Sequence, residues 1–165
     1  MNIRFETSEE KKLAGKRKRM SFNNHNPHEL WKSFMPRRKE IKNTKGTSLF
    51  SLEVYDSPLF FRNFNTDTEF DKWAAVEVEN FDDIPDDMEM MTLPAGLYAV
   101  FIHRGPAYEA KITYDYIFKT WLPDSGFELD FRPHCAVMGD KYKNDDPESE
   151  EEIWIPVKQA AKTGF

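Results

Sequence analysis

The stretch Leu30-Trp31-Lys32-Ser33-Phe34-Met35-Pro36 returns, class by class over seven positions, as Ile117-Phe118-Lys119-Thr120-Trp121-Leu122-Pro123. Further matches lie around it in the same order. Ala14-Gly15 matches Ala95-Gly96, Leu52-Glu53-Val54-Tyr55 falls opposite Cys135-Ala136-Val137-Met138, and Val76-Glu77-Val78 falls opposite Ile155-Pro156-Val157. The helix offset is 87 and the other three are 81, 83 and 79, so loops differ in length while element order is kept. Four ordered matches predict a duplicated unit, and two copies make a pseudo-symmetric domain rather than a solenoid.

The local signals give each unit the order β-α-β-β. Asn26 is a candidate N-cap and Pro27 suits the first helical position, opening a helix near 27–41 that carries Leu30, Trp31 and Phe34. A second helix is expected near 107–122, ended by Pro123 and the Asp124-Ser125-Gly126 turn. Strands are expected over 11–20, 48–56, 72–79, 97–103, 134–142 and 151–158. Leu97 to His103 is apolar at nearly every position, the mark of a central strand covered on both faces. The fold class is α+β: two β-α-β-β units, about 11–79 and 94–158, form one antiparallel sheet with two helices on one face and a central cleft. Residues 80–93 read as an acidic linker and 159–165 as a tail, within a single domain spanning 1–165.

Composition narrows the function classes. The 39% apolar and 15% aromatic content of the 165 residues suffices for a core, and aromatics also line pockets. The single cysteine, Cys135, excludes an intrachain disulfide and any zinc site needing two thiolates. Met1 to Glu10 is polar, without the apolar stretch of a secretory leader, and no segment approaches the length of a membrane span. The expectation is a cytoplasmic protein without membrane contact. Charge is uneven: residues 1–45 carry 13 Lys/Arg against 5 Asp/Glu, and the remainder 10 against 24. The run Lys16-Arg17-Lys18-Arg19 reads as a solvated face beside the acidic half, so no direct nucleic-acid binding is expected. Histidines 25, 28, 103 and 134 are scattered, no Gly-rich phosphate loop occurs, and neither metal nor cofactor is expected. His134 and Cys135 are adjacent on a strand and point to opposite faces, which rules out a direct Cys–His pair.

Several motifs together carry a family resemblance. Leu93-Pro94-Ala95-Gly96-Leu97-Tyr98-Ala99-Val100-Phe101 with His103-Arg104-Gly105-Pro106 supplies a Pro-x-Gly turn entering a Tyr-Ala-Val strand. Trp121 to Gly126 supplies a helix end, and Arg132-Pro133-His134 through Tyr142, with Glu152-Ile153-Trp154-Ile155-Pro156-Val157, supplies a closing strand pair. Over residues 11–158 the chain resembles the GyrI-like (AraC effector-binding) small-molecule-binding family, in its stand-alone form without a DNA-binding domain. The resemblance implies an aromatic-lined pocket and a hydrophobic, often cationic, drug-like ligand that is sensed or sequestered. It also brings two alternatives: a hydrolase of cytotoxic small molecules using the same pocket, or a protein-interaction module inhibiting an enzyme such as gyrase.

Candidate ligand contacts follow. The helices offer Trp31, Phe34, Tyr116 and Trp121, and the strands offer Tyr98 and Trp154. The family often places a pocket glutamate where this chain has Ala136, with Met138 on the same strand face. The match of Leu52–Tyr55 to Cys135–Met138 makes Glu53 the symmetric mate of Ala136. Glu53, beside Tyr55, is therefore the candidate replacement carboxylate and the sole candidate for catalysis.

Overall fold

The computed structural model describes residues 3–161, so the expected tail falls partly outside the described residues. The chain runs β1 (Ile3–Ser8), β2 (Lys11–Met20), α1 (Pro27–Phe34), β3 (Thr44–Val54), β4 (Phe70–Val78) and β5 (Glu89–Leu93). It continues with β6 (Gly96–Arg104), α2 (Ala110–Tyr116), β7 (Phe127–Leu129), β8 (His134–Met138) and β9 (Glu150–Gln159). A 3-10 turn, Met35–Glu40, prolongs α1 past Pro36. A 3-10 turn precedes α2, and a π-helical turn, Ile117–Trp121, follows it.

The sheet is antiparallel throughout, in the order β1-β6-β9-β8-β3-β4-β2-β5, with β7 paired to β9 off this path. Exchanging β5, β2, β4 and β3 for β1, β6, β9 and β8 makes that order read the same from either end. The pseudo-two-fold axis therefore passes between β3 and β8, which pair directly. Leu52 pairs with Cys135 across the axis, Leu52 with Trp73, and Cys135 with Trp154. Trp73 and Trp154 are thus symmetric mates. This slips the Val76/Ile155 match by two residues while leaving its sheet face unchanged.

Register also fixes the helix side. Ser51 pairs with Ala74 and Ala136, and Ala136 with Ile153, so these four share a face. Val76 and Val78 on that face pack in one cluster with Leu30 and Phe34 of α1, while Ile155 and Val157 pack with Ile117 beyond α2. Both helices therefore cover the same face, as a duplicated unit requires. In α1 the buried positions are Leu30 and Phe34, one turn apart, so the helix is held by its apolar stripe rather than by capping. Asn26 makes no side-chain cap bond, a difference from expectation, and the Pro27 ring removes one of the amides a cap would serve.

Three strands lie where none was expected: β1, β5 and β7. The stretch 80–93 is a connector only as far as residue 88, because Glu89–Leu93 pairs with β2. Their patterns are too polar and too short to read alone, and they exist because a sheet edge stands ready to pair with them. Conversely β8 ends at Met138, where a turn begins that bonds the Tyr142 N–H to the Gly139 carbonyl. At Gly15 on β2 an added Cβ would lie 2.0 Å from the Ala74 carbonyl oxygen, so only glycine permits this close approach of β2 to β4.

Candidate ligand-binding site

Among the described residues, the other face of the sheet carries no helix. Alternation aims Leu13, Phe50, Leu52, Trp73, Ala75, Leu93 and Cys135 toward it, and they bury one another as a single cluster. Beside this cluster is a cavity of about 110 Å³ lined by Phe50, Leu93, Tyr98, Cys135, Val137 and Trp154, with Ser8 and Lys11 also in its wall. A second hollow of about 340 Å³ shares Val137 and is walled by Ile102, Asp140, Lys141, Glu150, Glu151 and Glu152. The site is thus apolar and aromatic at one end and acidic at the other. It lies on β8 and β9 beside the symmetry axis, with contributions from both units.

Each aromatic is held by its neighbours. The Tyr98 and Trp154 ring centroids are 5.5 Å apart at 66°, an edge-on pair. The Arg132 guanidinium lies 4.5 Å from the Tyr98 ring centroid, pairs with Asp130 and donates to the Leu97 carbonyl. Gly96 makes room for it, since a Cβ there would lie 2.5 Å from that guanidinium. The Pro-x-Gly turn is therefore explained by a packed arginine that braces Tyr98. Trp154 donates its Nε1–H to Glu152 at 3.1 Å. Burial pushes the Tyr98 hydroxyl and the Cys135 thiol up, so both stay protonated at neutral pH.

Of the residues expected at the site, Tyr98 and Trp154 line the cavity. The others lie elsewhere. Trp31 and Phe34 pack edge-on at 6.0 Å in the α1 core, and Trp121 packs on Phe101 at 5.0 Å in the α2 core, where Tyr116 also sits. An amphipathic helix turns its aromatics to the sheet face it covers, and here the cavity is on the opposite face. Ala136 and Met138 are buried on the helix face, while their neighbours Cys135 and Val137 reach the cavity. Glu53 and Tyr55 share that helix face. Glu53 accepts from Lys72 Nζ at 2.9 Å, and Tyr55 packs on Phe60 at 4.4 Å. Glu53 therefore does not supply the cavity with a carboxylate. The acidic groups that do stand there, Asp140, Glu150, Glu151 and Glu152, escaped the sequence reading. A usable signal was present: Glu150, Glu152 and Trp154 alternate along one strand and must share a face.

Three of the four side chains of the basic run are paired within the molecule. Arg17 pairs with Asp71 and Glu89, Arg19 with Asp56 and Asp71, and Lys18 with Glu29. Among the described residues no group of three or more His, Cys, Asp or Glu could hold a metal ion, and no helix is long and apolar enough to cross a membrane.

Comparison with known proteins agrees with this architecture. Residues 1–158 match the model of the GyrI-like small molecule binding domain, and the chain belongs to that family. The transcriptional regulator BrlR of Pseudomonas aeruginosa is 25% identical over 130 residues, covering 78% of this chain but 45% of BrlR. The chain thus spans less than half the length of this curated relative. SAV2435, solved bound to tetraphenylphosphonium, superposes with a TM-score of 0.75 at 16% identity, over 96% of this chain and 94% of that one. The EcmrR C-terminal domain superposes with a TM-score of 0.69 at 20% identity, over 96% and 98%. At such identities the two structures show a shared fold.

Proposed function

We propose that this GyrI-like domain senses or sequesters hydrophobic monocations, taking the apolar part of the ligand on Tyr98 and Trp154 and its charge at the Glu150–Glu152 end. One observation carries the reading: an aromatic cavity shares Val137 with a neighbouring hollow walled by four acidic residues and one lysine. Aromatic faces attract cations, and carboxylates at the edge of a low-dielectric cavity add to that pull. A cavity of about 110 Å³ is smaller than the roughly 300 Å³ at which drug-sized pockets begin, so such a ligand spans both hollows. The tetraphenylphosphonium held by SAV2435 is a ligand of this type.

The test compares tetraphenylphosphonium with neutral triphenylphosphine oxide by isothermal titration. Trp154→Leu is expected to weaken both, and Glu152→Gln to weaken the cation alone by about fivefold, the scale of a partly exposed charge contact. Failure of tetraphenylphosphonium to bind at millimolar concentration, or affinities indifferent to both substitutions, would overturn the assignment. Glu53, the candidate for catalysis, is bonded to Lys72.

A further inference from the structure

We infer that Arg4 is a tethered cation that competes with the ligand for the acidic end of this site, an assignment that rests on the proposed ligand class. Arg4 pairs with Val100 across β1 and β6, and Val100 with Trp154 across β6 and β9, so the three stand in one row on the helix-free face. Val100 is buried and short, which lets the longer arginine side chain pass over it. The guanidinium carbon reaches 5.7 Å from the Trp154 ring centroid. Its Nη2 donates to Glu152 Oε2 at 2.8 Å, while Trp154 Nε1 donates to the other oxygen of the same carboxylate. Both oxygens of Glu152 are therefore engaged, one of them by a cation from the protein itself. Arg4 offers what a cationic ligand would offer, positive charge against an aromatic face and a carboxylate.

The arrangement is built for exchange. Arg4 Nε also donates to Glu6 Oε1 at 2.8 Å, on its own strand. When a ligand takes Glu152, Arg4 keeps Glu6 and loses only part of its coordination. The Arg4 and Glu152 side chains are 41% and 34% exposed, so the contact to be broken is weak and already met by water. Arg4 thus sets a threshold: monocations able to displace it from Glu152 are accepted, and neutral compounds do not compete for that carboxylate.

The experiment titrates the full chain with rhodamine 6G, a lipophilic monocation, and with neutral Nile red. Arg4→Ala is expected to bind rhodamine 6G about three- to thirtyfold more tightly, the combined scale of an exposed ion pair and an exposed cation–π contact. Nile red should stay within about twofold on the same reasoning. The gain should shrink when Arg4→Ala is placed on Glu152→Gln, because only the cation–π contact with Trp154 is then left to compete for. Lys158→Ala controls for loss of one positive charge outside the site: Lys158 borders neither hollow and pairs with Glu128 at 3.7 Å. Arg4→Gln provides a second neutral variant should Arg4→Ala melt early. An undiminished gain in the Glu152→Gln background, or one that Lys158→Ala matches, would overturn the competition, as would no gain at all. If neither dye binds any variant, the ligand assignment of the preceding section falls and this inference falls with it. Equal rhodamine binding with and without Arg4 leaves that assignment standing and removes only the tethered cation.

Discussion

Lys72 and Glu53, on neighbouring strands β4 and β3, form an ion pair at 2.9 Å with side chains only 8% and 12% exposed. It lies on the helix face, across the sheet from the cavity. Removing one partner of a buried pair strands the other charge, which costs more than the pair itself contributes. Glu53→Gln or Lys72→Met alone is therefore expected to lower stability by about 3 kcal/mol, and Glu53→Leu with Lys72→Met together to recover most of it. Chemical denaturation of the three variants checks this. Their affinity for tetraphenylphosphonium should stay at the wild-type value, and a selective loss of cation affinity in Glu53→Gln would move the site to the helix face.

His134, the register partner of Glu53, gives the fold a sensitivity to acid. Desolvation pushes its imidazole down to about 4 from 6.5. A group with a depressed folded pKa binds fewer protons when folded, so its contribution is intact above the unfolded value and is lost as pH falls through the window. Stability should decline from about pH 6.5 to about pH 4, by at most about 3 kcal/mol from this residue. His25, also lowered mainly by burial, acts in the same sense, whereas Glu151, raised by burial, opposes it. Urea midpoints at pH 7 and pH 5 measure the slope. His134→Phe should flatten it, because a phenyl ring keeps the stacking on Phe61 and Phe118 without the proton.

Phe61 pins the long β3–β4 connection. Its ring stacks on Phe118 at 5.1 Å and on His134 at 5.5 Å, joining a loop of the first unit to the helix of the second. Phe61→Ala removes both stacks and should cost about 1–3 kcal/mol. Limited trypsin digestion is the direct readout, since Arg62 is the next residue and cleavage after it should accelerate. Unchanged cleavage would mean that Phe60 and Tyr55 hold the loop unaided.

The residues that made the fold legible were those whose neighbours in sequence are also their neighbours in space. Leu30 and Phe34, one turn apart, announce the covered face of α1, and the paired motifs announce the duplication. Of the residues the sequence singles out, Tyr98 and Trp154 line the cavity, whereas Ala136 and Met138 lie on the other face of the sheet. Alternation states that residues 135 and 136 face opposite ways, but it does not say which face the helices take. The strongest aromatic signals, Trp31 and Trp121, marked the helix side because covering a sheet demands large apolar side chains whether or not a ligand is present. Arg4 and β1 were illegible for a different reason: their partners lie far along the chain, and nothing local marks such a strand.

That distance has a kinetic consequence. β1, which precedes the first unit, closes the edge of the second, and β5, which precedes the second, closes the edge of the first. Ile3 must find Phe101, and until it does the second unit keeps an open strand edge. Loop-closure entropy is spent before such contacts form, and rates fall as contacts become more distant in sequence. The chain should therefore fold slowly for its length, with neither half maturing before the other. Two fragments cut in the 80–88 connector should be poorly soluble apart and should assemble when mixed, each lending the other its missing border.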